Sequence, residues 1–148
     1  NGGFSLRSRR LIDALQDADI RKTQPEDHVI CLDYHDLLVA RHGIRFAPVE
    51  LARRFAFELT PPDGPVFGFH GFFNFHLALP DPELLSYLAG VDRSVLFSMP
   101  ARRLLKNLID AGRHEPARRI IDVRAGGNLK QRLDAFKLRC RLALRRLR

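Results

Sequence analysis

Glu26 and Asp27, directly after Pro25, and His70, inside the run VFGFHGFFNFH (residues 66–76), are side chains whose types and positions could do chemistry. Proline suits the first position of a helix, and a helix N-terminus favours ionised carboxylates. A carboxylate there can act as a general base or hold a substrate hydroxyl. Both acids are also ordinary first-turn residues. His70 lies between Gly68 and Gly71, and strand alternation would set Val66, Gly68, His70 and Phe72 on one face. The glycine then leaves room beside the imidazole. A neutral imidazole can bind a divalent ion or meet a phosphate; the competing use is a core histidine satisfied by a backbone carbonyl. His76, at the end of the run, reads as structural.

A third group is NGGFSLRSR, residues 1–9. Its paired glycines let backbone approach a ligand closely, and Arg7 and Arg9 can meet phosphate or sugar hydroxyls. A tight turn entering a strand, with solvated arginines, explains the same residues. Asp17-Ala18-Asp19 has the form of a metal–nucleotide D-x-D motif, but it follows the helical pattern LIDALQ rather than an apolar strand. It reads as a helix end.

The elements that must position these groups follow from pattern. A short strand is predicted over Phe4–Arg7, and Ser8 can cap a helix carrying Leu11, Ile12 and Leu15 on one face. A second helix is predicted from Pro25 to about His42, with Gly43 as a left-handed cap. IRFAPV (44–49) reads as a strand, LARRFAFE as a short amphipathic continuation, and TPPDGP (60–65) as a loop before the Phe-rich strand. Composition shifts near residue 80. Beyond it Pro100 opens a helix with Leu104, Leu105, Leu108 and Ile109 on one face, ended by Gly112, and Pro116 opens a shorter one through Ile120 and Ile121. After the break at Ala125–Asn128, Leu129, Leu133, Phe136, Cys140, Leu144 and Leu147 recur at steps of four and three, a helical stripe.

The 148 residues suffice for one domain, or part of one, and a hydrophobic content of 45% is ordinary for a globular chain. No apolar run approaches the roughly 20 residues of a spanning helix. Cys31 and Cys140 fit no metal or redox spacing and point weakly to a reducing compartment. The net charge of +8 is unevenly placed: residues 129–148 hold eight Lys/Arg against Asp134 alone, leaving 17 basic and 16 acidic residues in 1–128. The body is nearly neutral. The tail suits an interfacial helix on a membrane, or a partner helix whose charges are simply solvated. With no recognised nucleic-acid motif and no basic body, nucleic acid is an unlikely partner.

NGGFSLRSR, PED, GIRFAPVELARRFAFE and FGFHGFFNF, in that order, resemble the C-terminal half of an uncharacterised glycosyltransferase-like family related to the GT-A nucleotide-sugar transferases. The resemblance spans about residues 1–76. It implies an α/β fold, a partial GT-A-like sandwich over residues 1–79; the helical extension (80–128) with its helix hairpin and the basic amphipathic helix (129–148), read from periodicity, lie outside it. It further implies metal-assisted transfer from a nucleotide-sugar donor to a glycan or lipid-linked acceptor. In that scheme Asp27 is the base and Glu26 its neighbour or an acceptor ligand. His70 ligates a divalent cation (Mn²⁺ or Mg²⁺) or the diphosphate, and Asn1, Gly2, Gly3 and Arg7 line the donor or acceptor pocket. The family's nucleotide-binding half and its strand-borne D-x-D are not in these residues, so transfer by this chain in isolation is not expected. The alternative is a non-catalytic interaction module that docks through its C-terminal helix. The expected location is cytoplasmic, peripheral at a membrane should that helix be interfacial.

Overall fold

The computed structural model describes residues 4–146, with side chains through residue 145. The chain divides into two compact units, Asn1–His70 and Gly71–Arg148.

In the first unit, α1 (Arg9–Ala14) starts at Ser8, whose Oγ accepts from the Leu11 amide at 3.2 Å. Its Leu11 and Ala14 are buried with Ile30, Leu38 and Ile44. The helix expected after Pro25 is divided: α2 (Glu26–His28) widens into a π turn (Val29–Asp33), and α3 (His35–Ala40) follows. The Tyr34 amide donates to the Val29 carbonyl, five residues back, at 3.0 Å. Gly43 closes the segment at φ 56°, a conformation that favours glycine. Residues 44–48 form no strand; α4 (Val49–Phe55) begins directly after Pro48. The unit's only described strands are β1 (Ala56–Phe57) and β2 (Gly68–Phe69), paired in parallel with Ala56 beside Gly68 and Phe57 beside Phe69.

The second unit is helical throughout its described residues: a 3₁₀ turn at Phe72–Asn74, then α5 (Phe75–Ala78), α6 (Asp81–Gly90), α7 (Arg93–Leu96), α8 (Met99–Asp110), α9 (His114–Ala125) and α10 (Leu129–Arg146). Ser98 caps α8 through the Ala101 amide, Pro100 occupies its first turn, and Gly112 follows its end at φ 71°. Leu104, Leu105, Leu108 and Ile109 are fully buried against Ile120 and Ile121 of α9 and Leu84 and Leu88 of α6. Asn128 and Gln131 exchange side-chain-to-amide bonds of 3.0 and 2.9 Å, a reciprocal capping box that starts α10.

The α/β sandwich implied by the resemblance is overturned: the chain is mostly helical, with one two-stranded parallel pair among the described residues. The Phe-rich run explains the difference. Only Gly68 and Phe69 join a ladder; Gly71 then turns the chain at φ 91°, and Phe72, Phe73 and Phe75 pack into the helical core. Phenylalanines that alternate well enough for a strand serve helix packing equally well.

The stripe expected on α10 falls on one helix, and it is the face turned away from the core. The face packed on α8 and α9 is Ala135, Leu138 and Leu142. Leu129, Leu133, Phe136, Cys140 and Leu144 point to solvent, Leu129 at 70% and Phe136 at 66% exposure; Leu147 lies outside the described residues. Asp134 locks this rotation. It accepts from Arg102 of α8 at 2.6–2.9 Å and from the buried Arg124 of α9 at 3.3 Å. Arg124 also donates to the Leu96 carbonyl at 2.9 Å.

Replacing Asp134 by Ala leaves Arg124, 5% exposed, without its counter-charge. Urea unfolding should show a loss of about 3–5 kcal/mol, the usual cost of stranding a buried charge. The Arg102 guanidinium holds the Asp134 carboxyl below its ordinary range. Its contribution is therefore complete above an unfolded-state pKa of about 3.9 and disappears as pH falls through the lower folded value. The stability gap between the parent and Asp134→Ala should close over that acid window.

Candidate functional site

The first unit gathers the segments that carry the candidate residues. Phe4, half-buried, joins several of them. Its ring lies 5.5 Å from that of Phe55 and 6.2 Å from that of Phe67, while Phe55 and Phe67 stack at 5.6 Å. It also lies against Gly68, where a Cβ would come within 2.5 Å of the ring. Room beside Gly68 therefore exists, and Phe4 fills it.

Around this aromatic contact the backbone is tied by Phe67 N–H to Arg54 C=O (3.1 Å) and His70 N–H to Phe57 C=O (2.9 Å), one bond on either side of the strand pair. That register sets Glu58 opposite His70, and the His70 Nδ1 lies 3.0 Å from Glu58 Oε1. An imidazole backed by a carboxylate on one nitrogen has its tautomer and ring orientation fixed, the arrangement found behind metal-ligating histidines. Glu58 was not anticipated. Only the parallel register brings it to His70, and nothing in ARRFAFE specifies that register. Glu58 also lines an open cleft of about 510 Å³ with Arg53, Phe57 and the Thr60–Asp63 loop.

Arg7 and Glu26 meet directly. Both terminal guanidinium nitrogens of Arg7 donate to the two carboxylate oxygens, one of them at 3.1 Å. The pair raises the Arg7 pKa and holds Glu26 below the ordinary carboxylate range. Arg7 is thus committed to a carboxylate rather than presented to a phosphate, and Glu26, kept ionised, is a poor proton acceptor. Asp27, half-buried beside it, accepts from the His28 amide through Oδ1 at 3.1 Å; its second oxygen has no partner among the described residues. Asn1, Gly2 and Gly3 lie outside the described residues. Arg9 pairs with Asp13 one turn along α1.

Two other groups are engaged within their own units. Asp17, three residues past α1, accepts from the Asp19 amide at 2.9 Å, from His42 at 2.7 Å and from Arg41 at 3.0 Å, which together lower its pKa to about 2. His76, in the second unit, donates Nδ1–H to the Phe73 carbonyl at 2.8 Å, and burial lowers its pKa.

Among the described residues no three His, Cys, Asp or Glu side chains converge as a metal cage. Glu58 is engaged by His70 Nδ1, so the protein's contribution to a cation here would be one imidazole, with the other ligands supplied by phosphate oxygens and water. Comparison of the chain with profiles of known protein families, with curated proteins and with solved structures yields no match.

The Arg7–Glu26 pair makes a clean test of local electrostatics. Carboxyl titration followed by NMR should find Glu26 below its ordinary value in the parent and raised back toward the ordinary carboxylate range in Arg7→Ala. An unchanged Glu26 titration would show that the ion pair does not form in solution.

Proposed function

We propose that the first unit carries part of a nucleotide-sugar transferase site and takes a sugar from a nucleotide-sugar donor to an acceptor hydroxyl on a glycan or lipid-linked molecule. The observation that supports this is that residues from all four segments of the resemblance meet in the first unit, the last segment through its Phe67–His70 portion. NGGFSLRSR reaches PED through Arg7–Glu26, and reaches the other two segments through Phe4 against Phe55, Phe67 and Gly68.

In this proposal Asp27 is the base. It takes the proton of the acceptor hydroxyl as that oxygen bonds the anomeric carbon and the bond to the diphosphate breaks. Glu26 accepts a hydrogen bond from the acceptor, and Arg7 fixes its orientation and charge. His70, steadied by Glu58, would hold the diphosphate or its divalent cation, and such an ion would supply charge neutralisation of the leaving group. The Arg53–Glu58 cleft offers space for the donor beside that pair.

Calorimetry with Mn²⁺ and UDP or UDP-sugars, on this chain and on the full reading frame that encodes it, tests the proposal. Metal-dependent binding should be lost in His70→Ala and weakened about 10–100-fold in Glu58→Gln, the usual cost of removing a carboxylate behind a ligating imidazole. Folded protein that binds none of these ligands, or binds them equally well in both variants, sinks the UDP-sugar assignment.

A further inference from the structure

The exposed face of α10 has no role in the proposal above. Leu129, Leu133, Phe136, Cys140 and Leu144 fall within about 100° of arc at 100° per residue, and each is solvent-exposed. The strip is about 22 Å long at 1.5 Å per residue. At its N-terminal end it runs into a cleft of about 730 Å³ whose apolar lining includes Phe97, Met99, Leu129 and Leu133. Met99 is 72% exposed. A continuous apolar strip of this kind on an otherwise packed helix marks a contact surface.

Charge identifies the occupant. Lys130 and Lys137 border the strip on one side and Arg132 on the other, and none of the three has an ion-pair partner among the described residues. Arg139, Arg141 and Arg145, further along, are paired with Asp122 and Asp110. A second copy of this helix would bring like charges together on both borders, which is unfavourable. A flat anionic plane satisfies both borders at once: leucine and phenylalanine enter the acyl boundary while lysine and arginine stems extend to headgroups on each side. We infer that α10 is a membrane-docking helix that lays its Leu129–Leu144 face on an anionic lipid surface. No described helix is long and apolar enough to cross a membrane, so the contact is peripheral. The inference does not depend on donor binding, and its test uses no nucleotide.

Co-sedimentation with phosphatidylserine-containing vesicles and with pure phosphatidylcholine vesicles decides it. The parent should bind the anionic vesicles and release at high salt. Leu133→Glu/Phe136→Glu changes only exposed side chains, so it should keep its helical circular dichroism while losing about tenfold or more of its partition. Lys130→Gln/Arg132→Gln/Lys137→Gln should lose roughly 100-fold on anionic vesicles, at about 1 kcal/mol per charge, with little change on neutral ones. Absence of binding overturns the inference, as does undiminished binding by the glutamate variant, which would mean adsorption by charge alone. DNA retention without vesicle binding would assign the face to nucleic acid. A dimer abolished by the glutamate pair, again without vesicle binding, would assign it to a second copy.

Discussion

The carboxylate of Asp134 is the constraint on which the second unit's surface depends. It is the one acid among the last twenty residues, and it meets arginines from two different helices, Arg102 on α8 and Arg124 on α9. Arg124 is nearly inaccessible to water, so its charge has to be met within the protein. Once Asp134 must face both arginines, the rotation of α10 about its axis is set. Ala135, Leu138 and Leu142 turn inward, and the richer apolar face turns out. An electrostatic requirement thus overrides the ordinary preference to bury the larger hydrophobic surface.

That outcome marks the limit of periodicity. On α8 the apolar positions lie on a single face, Ser98 and Pro100 define the start, and Gly112 follows the end; helix, face and bounds are legible in the residues. On α10 two apolar faces compete. Hydropathy favours the one with Phe136 and four aliphatic or thiol neighbours, whereas the partner surface of α8 and α9 accepts the smaller one with Ala135. The arginines that decide between them lie 32 and 10 residues away in sequence, beyond the reach of any local pattern. The Phe-rich run failed for a related reason. Alternating phenylalanines fit a strand, but Gly71 at φ 91° turns the chain after one short ladder, and the remaining rings find helices.

The candidate site was legible in its parts and not in its pairings. Arg7, Glu26, Asp27 and His70 were each identifiable by residue type and by the turn or helix start beside them. That Arg7 and Glu26 would neutralise one another, across 19 residues, was not. Nor was the partner of His70. The histidine in an apolar run is not stranded: Glu58 answers it across a parallel pair, and a pair of two-residue strands has no hydrophobic alternation long enough to announce its register. The glycine that promised space for a ligand holds Phe4 instead, and that ring is what draws three separated segments into one unit.

Basic charge in this chain does two kinds of work, and location separates them. Arg102, Arg113 and Arg124 are fasteners. Arg113, for example, bridges Asp81 and the carbonyls of His76 and Leu79 at 2.5–2.7 Å, and closes the stretch between α5 and α6. Arg139, Arg141 and Arg145 meet acids on the helices beneath them, but such exposed pairs contribute little stability; they guide α10 into place rather than hold it. Lys130, Arg132 and Lys137 belong to neither group. They border the surface that the Asp134 clamp turned outward, so the interaction that builds the unit's interior is also the one that leaves an apolar, cation-edged face on its exterior. Removing the clamp would therefore do more than loosen α10: it would free the helix to bury that face and erase the surface.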